Sequence, residues 1–436
     1  MFKADPVPFG PFTKGVNNRL PSMALGRDQL RNAVNVDIDN SGHLHRRQGA
    51  TSAVSGTAVR SAWSDGDTGC VYFADGTALK RFTPDGAPPY VATPVATVTA
   101  GANIVYERYL GQVFWSDGVL TGQIVGGVNQ SWGVRPAVLA PALAQTTGNL
   151  YDGQYQATYT YVRANGEESG APMTSQITIS HHDRTQDGTA GIVISGIVAS
   201  SDPTVNGINV YCTGANGTVP YRVGTLANAN GSLTVQTIDT VAGQQLATQF
   251  FTPPPAGTDI FAHGSRIYVV SGNFLYYSER FAPGWFAPAA NFLPFGAPIA
   301  VALPVKDGIY IATTAEAYFL SGIDPAGTEF RERMRMSRIL PYGAVTGSGV
   351  VIRNGERVAW MGKRGLVVAE AGGSVKAVQE DEVAVELATH GVTGYREVNG
   401  MRQLVAILLD GQPSPMANKD FTAQEAGRLA TVLPTE

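Results

Sequence analysis

The chain has 436 residues, of which 44% are apolar and only 15% are charged, with 51 glycines and 26 prolines. This length allows two or three packed domains, and the apolar content excludes a disordered protein. The net charge of −4 argues against a protein that grips nucleic acid through its phosphates, because that needs a concentrated basic surface.

The N-terminus, MFKADPVPFGPF, has no basic region followed by an apolar run, so we expect no signal peptide. No apolar stretch approaches the ~18 residues needed to span a bilayer, and we expect no membrane insertion. Cys70 and Cys212 stand alone, without CxxC spacing. They indicate buried free thiols, and neither a disulfide framework nor a thiolate metal site.

The most informative segment follows, LGRDQLRNAVNVDIDNSGHLHRRQG at 25–49. We predict a short helical turn over Asp28 to Val34 and then an alternating strand through Val36 and Ile38. The residues at 39–42 have turn chemistry, and a second strand carries Leu44 up to the basic pair Arg46 and Arg47.

The same segment partly fits a calcium-binding EF-hand loop, because Asp37, Asp39 and Ser41 could converge oxygen atoms on one ion. The match fails at the twelfth position, where Gln48 stands in place of a bidentate glutamate. The alternative is a plain hairpin turn in which the aspartate side chain caps the backbone.

Asp-Gly and Asn-Gly pairs punctuate the whole chain, flanked by short apolar or alternating runs, and both dipeptides favour hairpin turns. The first residues of these pairs are Asp65, Asp75, Asp85, Asp117, Asp152, Asp187, Asp307, Asp410, Asn165, Asn206, Asn216, Asn230, Asn354 and Asn399. They predict an antiparallel, nearly all-β protein.

Residues 17–130 and 259–405 look like repeated units of strand, tight turn and strand. The tetrapeptide Trp-Ser-Asp-Gly even occurs twice, starting at Trp63 and at Trp115. Such spacing suits propeller blades of ~40 to 50 residues. We therefore predict a propeller-like body, with residues 1–135 as its N-terminal part and residues 253–436 as its C-terminal part, ending in a docking segment.

Between these parts the character changes, with prolines at Pro136 and Pro141 and again at 253–255. Tyr155, Ala157, Tyr159 and Tyr161 alternate along one face, and further short strands follow up to about residue 238. This pattern predicts an inserted β-sandwich of fibronectin or immunoglobulin type over residues 136–252, without a disulfide.

Two later segments are candidates for protein contacts. The aromatic and proline-rich loop at 274–295 contains Trp285 and Phe286, and it suits core packing at a blade rim as well as a docking surface. The run at 331–338 places Arg331, Arg333 and Arg335 on one face of a strand. That face is either a solvated edge or a contact in which guanidinium groups pair with carboxylates of a neighbouring copy.

Helix is sparse, and besides the turn at Asp28 only the stretch from Lys419 to Leu429 has helical patterning. No nucleophile, zinc-protease, phosphate-loop or dinucleotide motif occurs. His181-His182-Asp183 is expected in an exposed loop, because neighbouring strand residues face opposite ways. We therefore expect no catalytic residues, no metal and no cofactor, although paired carboxylates of a glycosidase could still meet in three dimensions.

Three quoted segments, in this order, carry a resemblance to a known family: NAVNVDIDNSGHLHRRQG, HGSRIYVVSGNFLYYSERFAPGWFAPAANFLPF, and YFLSG with LPYGAV at 318–345. The chain resembles the tail nozzle (tail tubular or stabilisation) proteins of short-tailed bacteriophages over nearly its whole length. The order of the pieces, with a sandwich inserted into a propeller-like body, carries the resemblance more than any single motif.

The resemblance implies a structural virion protein in the phage tail, assembled in the host cytoplasm. Six copies would form a ring below the portal and its adaptor ring, next to tail fibre or needle proteins, and double-stranded DNA would pass through without specific binding during genome ejection. Candidate contacts between protein copies are Arg46, Arg47, Arg331, Arg333, Arg335, Trp285 and Phe286. A receptor-binding or fibre-like tail protein is the alternative, and a carbohydrate-active propeller enzyme is a further one.

Overall fold

The computed structural model describes residues 10–33, 36–39, 41–46, 51–180, 190–322, 334–352, 355–378, 385, 388–398, 401–410 and 429–434. Within them the chain is almost entirely antiparallel β-structure. Among these described residues, helix is limited to two 3-10 turns, Ser22–Ala24 and Ala371–Gly373. The predictions of an all-β protein with very little helix are therefore confirmed.

An N-terminal hairpin precedes the body. Its strands are β1 (Val36–Ile38) and β2 (Leu44–Arg46). Ile38 pairs with Leu44 across the predicted turn. The predicted helical turn that should precede it is wrong in its described part, because the backbone N–H and C=O of Leu30 bond to Gly15 and Asn17 in a parallel bridge.

Six sheets form the body, and the first two precede the insertion. The first contains β3 (Val59–Ser64), β4 (Val71–Asp75), β5 (Ala78–Phe82) and β6 (Thr93–Thr97). The second contains β7 (Val105–Tyr109), β8 (Gln112–Ser116), β9 (Thr121–Val125) and β10 (Val128–Gln130). In both sheets each strand pairs with the next one along the chain.

The inserted β-sandwich follows, as two facing sheets. Its strands are β11 (Ala142–Thr146), β12 (Gly153–Arg163), β13 (Ser175–Ile179), β14 (Gly191–Ile197), β15 (Val205–Thr213), β16 (Pro220–Ala227) and β17 (Gly231–Val235). The strand orders are β11-β14-β17 and β13-β12-β15-β16. The four residues predicted to alternate on β12 all lie in the core between the sheets.

Four sheets complete the body, again mostly as meanders. The third contains β18 (Asp259–His263), β19 (Arg266–Ser271), β20 (Phe274–Glu279), β21 (Ala282–Phe286) and β22 (Phe292–Pro294). The fourth contains β23 (Ile299–Val305), β24 (Gly308–Thr313), β25 (Ala317–Ser321) and β26 (Arg335–Leu340). The fifth contains β27 (Val350–Ile352), β28 (Arg357–Gly362), β29 (Gly365–Glu370) and β30 (Val375–Ala377). The sixth contains β31 (Ala388–Val398), β32 (Met401–Asp410) and β33 (Leu429–Pro434).

Consecutive sheets stack face to face around their first strands, which makes the body propeller-like. β18 lies against β7, β23 against β18, β27 against β23, and β31 against β27. A separate hydrophobic cluster fills the space between each consecutive pair of sheets. Because both faces of a blade are buried, adjacent residues of one strand enter different clusters: Ile267 and Val269 face the second sheet, whereas Tyr268 and Val270 face the fourth.

One sequence expectation fails here, and two others fall almost entirely outside the described residues. Trp63 lies in the first strand of its sheet and Trp115 in the second strand of the next, so the repeated tetrapeptide does not mark a blade period. Of the predicted C-terminal helix, residues 419–428 lie outside the described residues, and Leu429 begins strand β33. His181, His182 and Asp183 also lie outside the described residues.

Candidate functional site

The best-defined candidate site is the junction where the inserted sandwich meets the body, and the chain enters it through Trp132, Gly133 and Val134. Trp132 is buried in the body core against Phe114 and Phe286, and its indole N–H donates to Pro283 O at 2.8 Å. Val134, two residues later, is buried in the sandwich core. The chain thus passes from one hydrophobic core to the other within three residues.

Gly133 makes this short crossing possible. It has φ +75°, a conformation that side-chain-bearing residues rarely adopt. A Cβ placed there would lie 2.7 Å from Gly284 O and 3.3 Å from Pro253 Cα. The entering chain, β21 and the returning chain therefore approach one another too closely for any side chain at this position.

The chain returns from the sandwich to the body beside β21, the strand that Gly133 also approaches. Thr252 and Phe286 exchange two backbone hydrogen bonds of 2.8 and 3.1 Å, and Phe251 stacks on Trp285 with ring centroids 5.5 Å apart. Phe286 is fully buried, so its proposed role as a surface contact with another protein is wrong: its side chain is occupied by packing within the chain. Trp285 is partly exposed and also belongs to the junction.

A buried ion cluster centred on Arg163 reinforces the crossing. The Arg163 side chain is only 3% exposed and contacts Glu167 Oε2 at 2.6 Å and Asp202 Oδ2 at 3.1 Å. It also donates to Thr204 Oγ1 at 2.7 Å and to the carbonyl oxygen of Ser131 at 2.9 Å. One guanidinium group thereby joins the sandwich to the entering linker.

The electrostatics of the cluster are consistent with a paired buried arginine. Burial raises the pKa of Asp202, but hydrogen bonds from Ser131 and Thr204, together with the charge of Arg163, outweigh burial and leave that pKa below its usual value. Asp202 therefore stays ionised beside the guanidinium at neutral pH. Removing the arginine would leave two carboxylates in a poorly solvated place.

The two remaining predicted contact residues that the structure describes, Arg46 and Arg335, lie in different sheets. Arg46 is exposed at the end of β2, and Arg335 is exposed at the start of β26, the outermost strand of the fourth sheet. Arg47, Arg331 and Arg333 lie outside the described residues. The strand prediction around Arg335 is confirmed, and the choice between a solvated edge and a subunit contact stays a prediction.

The partial EF-hand pattern folds as a capped turn. Asp39 Oδ1 accepts the backbone N–H of Ser41 at 2.8 Å and of His43 at 2.9 Å, and Asp39 Oδ2 lies 2.9 Å from His45 Nε2. The His45 contact and these backbone bonds hold the pKa of Asp39 at about 2. Within the described residues there is no group of three or more His, Cys, Asp or Glu side chains that could hold a metal ion.

Sequence reasoning missed two carboxyl groups on the innermost strands. Glu107 on β7 accepts the backbone N–H of Ala262, and Asp259 on β18 accepts that of Ala302 on β23. Both carboxyls reach across to the next blade, and burial raises the pKa of each to about 7. Their only sequence signal is a single acidic residue in each of two mostly apolar strands.

Comparisons with known proteins assign no family. No protein-family model and no curated protein matches the chain. Loose structural similarity links it to a chain in the crystal structure of BBS1N in complex with ARL6DN (TM-score 0.33, 11% identity, 88% of this chain and 94% of that chain covered). The chain is also loosely similar in structure to Citrobacter koseri AztD (TM-score 0.33, 9% identity, 86% of each chain covered). A third similar structure is the WD40 domain of Neurospora crassa Pan2 (TM-score 0.30, 9% identity, 80% and 85%).

These similarities are too loose to support an argument about function. The propeller-like description rests on the strand order and on the clusters between sheets. In the part of the chain that the structure describes, no helix is both long and apolar enough to cross a bilayer.

Proposed function

We propose that this chain is a structural protein of a short-tailed phage tail, one wall segment of the ring-shaped nozzle through which the genome leaves. The observation that carries the proposal is the sandwich clamped into a propeller-like body at two adjacent crossings. This is the order of parts that the resemblance to tail nozzle proteins implies.

The clamped junction suits a ring subunit for a geometric reason. A closed ring requires every copy to present its two contact faces at one fixed angle, because heterologous contacts that deviate from this angle build open helices. A sandwich on a flexible linker could not fix that angle. The crossing from Trp132 to Val134 and the buried Arg163 hold the sandwich in one orientation on the body.

The charge is also compatible with a conduit for DNA. Each phosphate that a protein neutralises adds salt-dependent affinity, and strong affinity would slow passage. A chain with net charge −4 repels the phosphates weakly. The proposed partners are further copies of the chain, the portal-adaptor ring and tail fibre or needle proteins.

Electron microscopy of the purified full chain over a range of concentrations tests this function. We expect rings with sixfold symmetry. A trimer would favour the fibre-like alternative, and a monomer that cleaves glycans would favour the enzyme; either result would overturn the nozzle.

A charge reversal at Arg335 tests the outer edge of the fourth sheet as a ring contact. Arg335→Glu should reduce the fraction of chains in rings, because the exposed arginine would no longer attract carboxylates of a neighbouring copy. Lys376→Glu is the matched control, since Lys376 is also exposed in the outermost strand of its sheet, β30. Equal ring formation by the two variants would show that Arg335 does not take part in the ring contact. The ring itself would still stand as a proposal.

A further inference from the structure

The end of the sandwich that points away from the body carries a second potential site. β12 and β15 are antiparallel, and their residues Arg163 and Val205 lie at the junction end. The opposite ends of these strands, at Gly153 and Thr213, lie across the length of the sandwich. Because a strand rises ~3.3 Å per residue, the eleven-residue β12 separates the two ends by roughly 30 Å.

A groove of about 520 Å³ opens at this far end. Its walls come from the loops around residues 149–151, 214–219 and 237–240, and the described residues that line it are all uncharged. Tyr151 and the half-buried Tyr221 contribute aromatic surface, whereas Tyr155 is buried, and Asn149, Thr218 and Thr240 contribute amide and hydroxyl groups. The Tyr151 side chain is 83% exposed, so one large ring stands at the rim with an unoccupied face.

Local hydrogen bonds hold the walls in place. The Tyr155 hydroxyl donates to Tyr151 O at 2.8 Å. Asn216 Oδ1 accepts the backbone N–H of Gln154 at 3.0 Å, and the Asn216 N–H donates to Gln154 O at 2.8 Å. On the opposite side, Asp239 Oδ1 accepts two backbone N–H groups of its own loop, at 2.8 and 2.9 Å. A groove that is formed before its ligand arrives loses little free energy on ordering when it binds.

We propose that this groove binds a neutral saccharide chain. A pyranose ring presents a face of C–H groups, which packs on an aromatic ring, and a rim of hydroxyls, which exchange hydrogen bonds with uncharged amides and hydroxyls. The groove offers both kinds of surface, and among the residues that the structure describes its lining contains no cation for a phosphate, sulfate or carboxylate. The proposal is independent of ring formation, because the groove lies in the sandwich alone.

The test is saturation-transfer NMR and calorimetric titration of the full chain with neutral trisaccharides. The probes are maltotriose, cellotriose and tri-N-acetylchitotriose, with sialyllactose and a heparin tetrasaccharide as anionic comparisons. We expect saturable binding of at least one neutral probe with a Kd on the order of 1 mM, in the usual range for a shallow site, and weaker binding of both anionic probes.

Three variants separate the groove from the rest of the sandwich. Tyr151→Ala should weaken binding by about tenfold, because it removes the stacking ring. Tyr151→Phe, which keeps the ring, should bind nearly as well as the original chain. Phe250→Ala is the matched control, since Phe250 is an equally exposed aromatic residue (78%) close to the body junction.

The proposal is overturned by any of three results. These are no saturable binding of any neutral probe, tighter binding of an anionic probe, or equal loss of binding in Tyr151→Ala and Phe250→Ala. If the original chain binds no sugar and Tyr151→Ala alters the mass of its assemblies, the groove instead holds a loop of a second copy. That outcome also rejects the saccharide, and it leaves the nozzle proposal standing.

Discussion

Gly133 is the residue on which the short crossing between the two cores depends. Gly133→Ala should lower the free energy of unfolding by about 3 kcal/mol, since it combines an unfavourable backbone conformation with a Cβ that would lie 2.7 Å from Gly284 O. Chemical denaturation followed by tryptophan fluorescence measures this loss.

Gly166→Ala separates the two causes. Gly166 also has a positive φ, of +84°, but a Cβ there would meet nothing within 4 Å. The free energy of unfolding of this control should fall by only about 1 kcal/mol, the usual cost of a positive φ for a residue with a side chain. Equal losses in the two variants would contradict the close approach at the junction.

The Glu107 carboxyl makes stability depend on pH with a definite sign. Burial raises its pKa to about 7, so the folded chain holds this proton more tightly than the unfolded chain does. The stabilising contribution is complete below about pH 4.5 and is lost as the pH rises through about 7. Glu107→Gln removes the titration, so the stability of the original chain relative to this variant should fall by about 3 kcal/mol between pH 4.5 and pH 8.

Parallel denaturation series at several pH values check this prediction. Glu356→Gln is the control, because its side chain is 53% exposed and lies 3.7 Å from Lys306 in a surface pair. The control should change stability by a small and nearly constant amount over the same range. A constant difference for Glu107→Gln as well would show that its carboxyl does not titrate in this range.

Single residues also show where sequence reasoning stops. The turn role of Asp39 could be predicted, because its partners Ser41 and His43 are its chain neighbours. The sequence left the inward position of Phe286 undecided, because its partner Trp132 is far away along the chain and meets it only in the folded structure. Glu107 and Asp259 likewise meet only when the second and third sheets stack.

At the scale of elements, the Arg163 cluster should dominate the attachment of the sandwich. Arg163→Met should cost about 3 kcal/mol of stability, because Glu167 and Asp202 would remain as unpaired, mostly buried carboxylates. Arg163→Lys should restore little of this, since a single ammonium group cannot reach the partners that the planar guanidinium joins. Equilibrium unfolding of the three chains measures both effects.

Arg338→Met provides the matched control for the cluster. Arg338 pairs with Glu316 at 2.9 Å, but its side chain is 56% exposed. An exposed pair of this kind contributes less than about 1 kcal/mol. If Arg163→Met lost no more than Arg338→Met, the cluster would not fasten the sandwich.

Hairpins were the most predictable elements, because their signals are local. β4 and β5 meet at Asp75-Gly76, β23 and β24 meet at Asp307-Gly308, and both turns lie where the dipeptides predict them. The blade period was not predictable from Trp63 and Trp115, since a tetrapeptide that closes a turn can follow any strand of a meander. The predicted alternation of residues along β12 is confirmed, because one face of that strand fills the sandwich core.

At the scale of the whole molecule, the two crossings lie so close together that the sandwich can be removed without stretching the body. A Cβ on Gly133 would lie 3.3 Å from Pro253 Cα, so Arg135 and Thr252 can be joined by a short Gly-Ser linker in place of residues 136–251. Trp132, Phe114 and Phe286 all remain in the shortened chain, and so does the core cluster that they form.

We expect this shortened chain to fold but not to form rings. It should keep β-type circular dichroism and one cooperative unfolding transition, because all six sheets and the clusters between them remain. Electron microscopy should show isolated particles at concentrations where the full chain forms rings, since the platform that fixes the angle between copies is gone. Complete rings from the shortened chain would show that the sandwich takes no part in the ring contact. An unfolded product would show that body and sandwich form one cooperative unit.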